Sequence, residues 1–202
     1  MKELVVATRN RGKLLEIRAM LNGLVASVHC AADFAGFPDT VEDGATFDEN
    51  ALKKAREAVR FCGLPALADD SGLVVDVLEG RPGVYSARFA GEGAGDAANN
   101  AKLVGELAGT QPEAKTAAFV CVLAFVTPEG AEHLFTGRVG GRILDTARGE
   151  GGFGYDPLFL VDGYGQTMAE LGVEEKNRIS HRGQAFRLFR KYLQKGTACR
   201  ER

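Results

Sequence analysis

Apolar and polar positions change period several times along the chain, and each change predicts an element. Residues 3–7 read as a short buried strand, apolar from Leu4 to Ala7. A polar turn follows over residues 8–12, and Leu14, Ile17 and Leu21 then mark one face of a helix closed by Asn22-Gly23. A second helix opens at Thr46, which has capping-box spacing to Glu49, and runs through Ala51, Ala55 and Val59 to Gly63, with Pro65 as a stop. Residues 65–68 and 73–77 read as strand segments on either side of Asp69-Asp70-Ser71-Gly72, a cluster of turn formers and acids. Residues 99–107 fit a helix. The most apolar stretch, 117–126, is joined through Thr127-Pro128-Glu129-Gly130 to a strand over 132–139, which predicts a hairpin. Further on come an apolar run at 158–161, a capped turn Thr167-x-x-Glu170, a terminal helix using Phe186, Phe189 and Leu193, and a polar tail from Lys195 expected to fray. No Pro- or Ser-rich linker, low-complexity tract or internal repeat interrupts this order. The expectation is a single domain over residues 1–202 of α/β class, with a mixed, partly antiparallel sheet flanked by helices.

Composition narrows the functions open to such a domain. The 202 residues carry 25 Lys plus Arg against 27 Asp plus Glu, a formal net charge of −2, so bulk electrostatics cannot drive binding to nucleic acid or an anionic membrane. An anionic ligand must be held locally. Cys30, Cys62, Cys121 and Cys199 form no CxxC pair, and three of them sit among apolar neighbours, which favours free thiols in a reducing cytosol. There is no 18-residue apolar run, and the apolar segment at the N-terminus is too short for a signal peptide, so the expectation is a soluble protein that is not exported. The 26 glycines fall in short clusters between periodic segments, where backbone can approach a ligand closely.

Those clusters hold the candidate chemistry. Thr8-Arg9-Asn10-Arg11-Gly12-Lys13 lies between the first strand and first helix, where unpaired N–H groups and the helix dipole attract phosphate; the alternative is an Asn10 cap beside solvated basic residues. It is not a Walker A loop, because Ala7 and Leu14 stand where that motif needs a glycine and a hydroxyl residue. Glu42-Asp43 and Asp69-Asp70 are two acidic pairs that could offer oxygens to Mg²⁺, although acids beside a helix start are also ordinary dipole stabilisers. Residues on a strand alternate in direction, so only one of Asp69 and Asp70 should point into a given site unless a turn has begun, and the sequence does not choose between them. Residues 149–154 match G-x-G-x-x-G, but Tyr155-Asp156-Pro157 follows where a helix would have to open, which argues against a dinucleotide fingerprint. A glycine loop laying a planar ligand against Phe153, with Asp156 accepting hydrogen bonds, is one reading; a turn packing Phe153 into the core is the other. Lys176, Ser180, His181 and Arg182 form a polar cluster before the last helix, with Ser180 also readable as a plain cap. His29 and His133 stand alone, and no His/Cys spacing suggests zinc.

Five ordered motifs carry a resemblance across nearly the whole chain: Thr8-x-Asn10-x-Gly12-Lys13, Glu42-x-Gly44-x-Thr46-Phe47-x-Glu49-Asn50-Ala51, Ala68-Asp69-Asp70-Ser71-Gly72, Gly152-Phe153-Gly154-Tyr155-Asp156-Pro157 and Ser180-His181-Arg182-Gly183. Together they resemble the Ham1/RdgB inosine triphosphate pyrophosphatase family, with no departure at a motif position. The resemblance implies a central cleft, with two lobes around it, and Mg²⁺-dependent hydrolysis of purine triphosphates with damaged bases (ITP, dITP, XTP) to monophosphate and pyrophosphate. It implies Asp70 as catalytic acid residue and metal ligand and Glu42 as second ligand. Substrate contacts are implied for Thr8, Arg9, Asn10, Arg11, Gly12 and Lys13, for Lys54, with Lys53 adjacent, and for Ser71. On the base side they are implied for Phe153, Gly154, Tyr155, Asp156, Lys176, His181 and Arg182. Arg182 can only donate, which would suit a 6-oxo purine over adenine. The family also implies a homodimer, for which the apolar hairpin could supply the interface, and no nucleic-acid or membrane partner. Two competing expectations are a Maf-like nucleotide pyrophosphatase of other base specificity and a nucleotide sensor that binds without cleaving.

Overall fold

A computed structural model describes residues 1–198. Strand β1 (Glu3–Val6) runs parallel to β2 (Ser27–Cys30), with Val5 opposite His29, and parallel to β3 (Ala66–Val75), with Val5 opposite Ala66. Strands β4 (Thr116–Val126) and β5 (Glu132–Ile143) form the expected hairpin, its turn closed by the Thr127 N–H donating to the Ala131 carbonyl at 3.0 Å. β6 (Phe159–Val161) pairs antiparallel with β5, Val161 opposite Gly141. The order β2-β1-β3-β4-β5-β6 makes the sheet mixed. The helices are α1 (Arg11–Leu21), α2 (Phe47–Cys62), α3 (Asp96–Glu106), α4 (Val173–Ile179) and α5 (His181–Ala198).

The chain divides into two compact units, the first formed by Met1–Asp70, Cys121–Thr136 and the segment from Arg182, the second by Ser71–Val120 and Gly137–His181. Within the first unit, strand alternation sorts β3 side chains between two cores. Ala66 and Ala68 meet Ala51, Ala55 and Ala58 of α2, where small side chains let helix and strand approach closely. Leu67 turns instead to Ile17 and Leu21 of α1 and Phe186 and Phe189 of α5. Full burial of a side chain such as Leu21 contributes about 1.5–3 kcal/mol. The second unit has its own core of Leu73, Val75, Leu103, Phe119, Tyr155, Phe159 and Met168 among others.

Four features differ from the sequence reading. Asp69-Asp70-Ser71-Gly72 is not a turn but the middle of β3, because sheet pairing overrides local turn propensity when the charges find partners. β2 has only four residues, with His29 in the apolar run, and left no periodic signal. α4, one polar stretch of seven residues, was equally silent. Finally, α5 continues through Ala198, beyond Lys195, and the remainder of the tail lies outside the described residues. The two capping motifs behave as read: Thr46 accepts from the Glu49 N–H at 3.2 Å, and Thr167 and Glu170 exchange the same reciprocal pair.

Candidate active site

In the first unit, the strand-to-helix loop is shaped by Asn10. Its side-chain oxygen accepts from the Lys13 N–H at 3.0 Å, so it caps α1, and its own N–H donates to Thr8 Oγ1 at 3.2 Å. The cap satisfies the Lys13 amide and leaves those of residues 11 and 12, which open the helix and have no intrahelical acceptor. Of Arg11 only the backbone is described. Arg9 is tied elsewhere, donating to the Phe37 carbonyl at 2.9 Å and lying 3.5 Å from Asp39.

Lys13 leads from this loop to the acids, its ammonium 2.5 Å from Asp69 Oδ1. Asp69 is fully buried and also meets Arg182 Nε and Cys121 Sγ, both at 3.2 Å. Arg182 completes a chain to Glu16 at 2.5 Å. Burial alone would raise the Asp69 pKa, but Arg182, then Lys13 and Lys54, outweigh it and hold the carboxyl far below its ordinary value. Burial dominates at Cys121 and pushes its thiol well up, so it stays protonated and donates.

Asp70 faces the other way, toward α2. Lys54 donates to Asp70 Oδ1 and to Glu42 Oε1, both at 2.8 Å, and so bridges the two predicted metal ligands. Lys53 turns out to Asp43 at 2.6 Å, away from Asp70 and Glu42. Glu42 is brought in by Asn50, a fully buried α2 residue one turn before Lys54 whose Oδ1 accepts from the Gly44 N–H at 2.8 Å. A Cβ on Gly44 would come within 2.7 Å of that oxygen, so only glycine fits the approach. Burial raises the Asp70 pKa above its ordinary value, the Glu42 charge adds to it, and Lys54 and Lys13 only partly offset the rise. Burial likewise works against the Lys54 charge, but Asp70, Glu42 and Asp69 together raise its pKa.

The second oxygen of Asp70, Oδ2, is buried without a hydrogen-bond partner. A buried carboxylate oxygen in that state is costly unless something cationic or protic meets it. No group of three or more His, Cys, Asp or Glu able to hold a metal occurs among the described residues. Two carboxylates of hard oxygen character, one with an unmet oxygen, therefore fit Mg²⁺, which takes few protein ligands and fills its shell with water and phosphate oxygens.

In the second unit, the glycine loop is organised by Asp156. Its Oδ2 accepts from the Phe153 N–H at 3.0 Å and from Lys176 Nζ at 2.7 Å. Gly152 has φ +77°, and a Cβ there would fall 2.1 Å from the same oxygen. Phe153 is half-buried, with the Lys176 ammonium 5.1 Å from its ring centroid. Asp156 accepts hydrogen bonds as the first sequence reading has it, and the half-buried Phe153 ring is not sunk in the core as the second has it. Tyr155 is a core residue whose hydroxyl donates to the Ser86 carbonyl at 2.8 Å, and burial raises its pKa so that it stays protonated. His181 is buried and stacked on Phe119 at 4.9 Å. Ser71 is half-buried on β3.

Of the residues named from sequence, the structure joins Glu42, Lys54 and Asp70 in one network, sets Lys13 on Asp69 beside it, and joins Phe153, Asp156 and Lys176 in another. Arg182, expected to face a base, has its guanidinium against Asp69 and Glu16. Glu16, Asn50, Asp96, Asn100 and Cys121 were missed; only Asn50, inside a motif, carried any signal. Cys30, Cys62 and Cys121 are free thiols, and Cys199 lies outside the described residues.

Fold and site define a mixed α/β protein with a basic strand-to-helix loop and a lysine-bridged acid pair. The Ham1 family model matches residues 4–192, and the chain belongs to that family. It is 58% identical to a dITP/XTP pyrophosphatase of Geobacter sulfurreducens over 96% of this chain and 97% of that one. It is 53% identical to the dITP/XTP pyrophosphatase of Desulforamulus reducens over 92% of each chain. A solved HAM1 protein from Coxiella burnetii superposes with a TM-score of 0.88 at 41% identity, covering 96% of this chain and 100% of its own.

Proposed function

We propose that this protein hydrolyses deaminated purine nucleoside triphosphates, ITP, dITP and XTP, to the monophosphate and pyrophosphate, so removing them from the nucleotide pool. The observation that carries the reading is the Asp70 carboxylate, joined through Lys54 to Glu42 and left with one buried oxygen unmet. Relatives that match nearly end to end and bear the name dITP/XTP pyrophosphatase support the substrate class.

The triphosphate falls to the first unit's residues. The amides of residues 11 and 12 and the ammonium groups of Lys13 and Lys54 neutralise its oxygens, with Thr8 and Arg9 flanking. Asp70 and Glu42 would hold Mg²⁺, which when bound supplies charge neutralisation for the phosphates and the leaving group. Asp70 orients the attacking water through its free carboxylate oxygen. Lys54 keeps the two carboxylates together before substrate arrives and then serves the leaving pyrophosphate.

The base falls to the second unit's residues. Phe153 offers a ring to stack on, and Lys176 can only donate, which suits the 6-oxo group of hypoxanthine and xanthine and leaves adenine's amino group without a partner. Mismatches of this kind discriminate by up to ~10⁴–10⁵ in buried sites. Free thiols favour a reducing compartment, here the cytoplasm, and the family resemblance a homodimer, which light scattering checks. No helix among the described residues is long and apolar enough to cross a membrane.

Incubation with ITP and Mg²⁺, with pyrophosphate and orthophosphate assayed separately, tests the reading. Pyrophosphate with an equal amount of inosine monophosphate is expected; orthophosphate would mean another bond is cut, and no product would mean a sensor.

A further inference from the structure

Asp96 and Asn100 stand one helical turn apart on α3, and each holds one polar atom of the same distant residue. The Gly154 N–H donates to Asp96 Oδ2 at 2.7 Å, and Asn100 Nδ2 donates to the Gly154 carbonyl at 3.0 Å. Gly154 has φ +63°, and it directly follows Phe153, whose N–H is held by Asp156. Tyr155, the next residue, is bolted to the Ser86 carbonyl. α3 is itself anchored, because Asn99 accepts from the Ala90 N–H at 2.8 Å and donates to the Ala87 carbonyl at 3.1 Å.

We propose that Asp96 and Asn100 are positioning residues for base recognition, clamping Gly154 so that the Phe153 ring and the Lys176 ammonium form a surface already shaped for a keto purine. The inference rests on the function proposed above and names residues that act through Phe153. With both polar atoms of Gly154 tied to one rigid helix, its φ and ψ cannot drift without losing a hydrogen bond, and the ring of the preceding residue moves with that peptide. Asp96 opens α3, and the Gly154 N–H meets its Oδ2 at the short distance of 2.7 Å. A loop held this way does not have to be ordered by substrate, and that cost would otherwise appear as weaker binding.

The test compares D96A, N100A and D96N by calorimetric affinity for inosine monophosphate, by kcat and KM on ITP and ATP, and by Tm. D96A and N100A should weaken monophosphate binding and raise KM for ITP about tenfold, with a much smaller change in kcat and a narrower ITP-to-ATP preference. D96N, whose amide oxygen still accepts from Gly154, should recover most of what D96A loses. Unchanged affinity and KM in both alanine variants would overturn the inference. So would a fall in kcat alike for all nucleotides together with a lowered Tm, the mark of a merely structural contact. Failure of the unsubstituted protein to bind inosine monophosphate or cleave ITP would overturn the functional reading, and this inference with it, before any variant is made.

Discussion

Asp69 and Asp70 are consecutive residues of β3 whose carboxyl groups are pushed in opposite directions, Asp69 far down and Asp70 up. The pleat sends Asp69 among Lys13, Arg182 and Cys121 and sends Asp70 to Lys54, so one peptide bond separates a permanently ionised anchor from a more basic carboxylate. Neighbouring acids with divergent environments are how a fold divides a structural task from a chemical one.

Asp70→Asn should abolish turnover while sparing the fold. The amide oxygen still accepts from Lys54, but the charge facing water and metal is lost, and kcat should fall by at least about 10³-fold. Pyrophosphate release and a thermal melt measured side by side check this; a variant with more than a tenth of normal kcat would contradict it.

Asp69→Asn should be mainly a stability mutation. It leaves Arg182 and Lys13 without their buried counter-charge, a loss of about 3–5 kcal/mol, to be read from urea unfolding. The pH dependence follows from the sign of the shift. Because the folded pKa lies far below the ordinary 3.8, the stabilisation is fully present above that value and drains away as pH falls beneath it. Acid unfolding of the native protein below about pH 4 should therefore be steeper than that of the variant.

Lys54→Met and Lys53→Met should behave differently although they are neighbours. Lys54 bridges Glu42 and Asp70, so its loss should cost at least about a hundredfold in kcat/KM. Lys53 pairs with Asp43 at the surface and should be nearly silent in both kinetics and melting.

Chelation should silence the protein and Mg²⁺ restore it. In the absence of nucleotide, Mg²⁺ should raise the Tm of the native protein through the unmet oxygen of Asp70, and Glu42→Gln should shrink that shift. An undiminished shift in Glu42→Gln would remove Glu42 from the ligand set.

Much of this was legible because local chemistry and tertiary structure agree. The Thr46–Glu49 capping box, the hairpin turn at 127–130 and the Ala51, Ala55, Val59 stripe of α2 each state their own geometry, and the structure keeps them. The acidic stretch in β3 misled for a definite reason: Asp, Ser and Gly favour turns locally, and only partners remote in sequence, Lys13, Lys54 and Arg182, make a buried strand tolerable there. The same remoteness hid Glu16, 166 positions from Arg182, and the α3 clamp on Gly154, 54 and 58 positions away. Such contacts leave no periodicity to read.

The central claim concerns which purines are destroyed, and direct competition measures it. With Mg²⁺ present, a mixture of ITP, dITP, XTP and ATP at equal concentration should yield inosine, deoxyinosine and xanthosine monophosphates with matching pyrophosphate while ATP persists. Equal consumption of all four, or exclusive loss of ATP, would contradict the account.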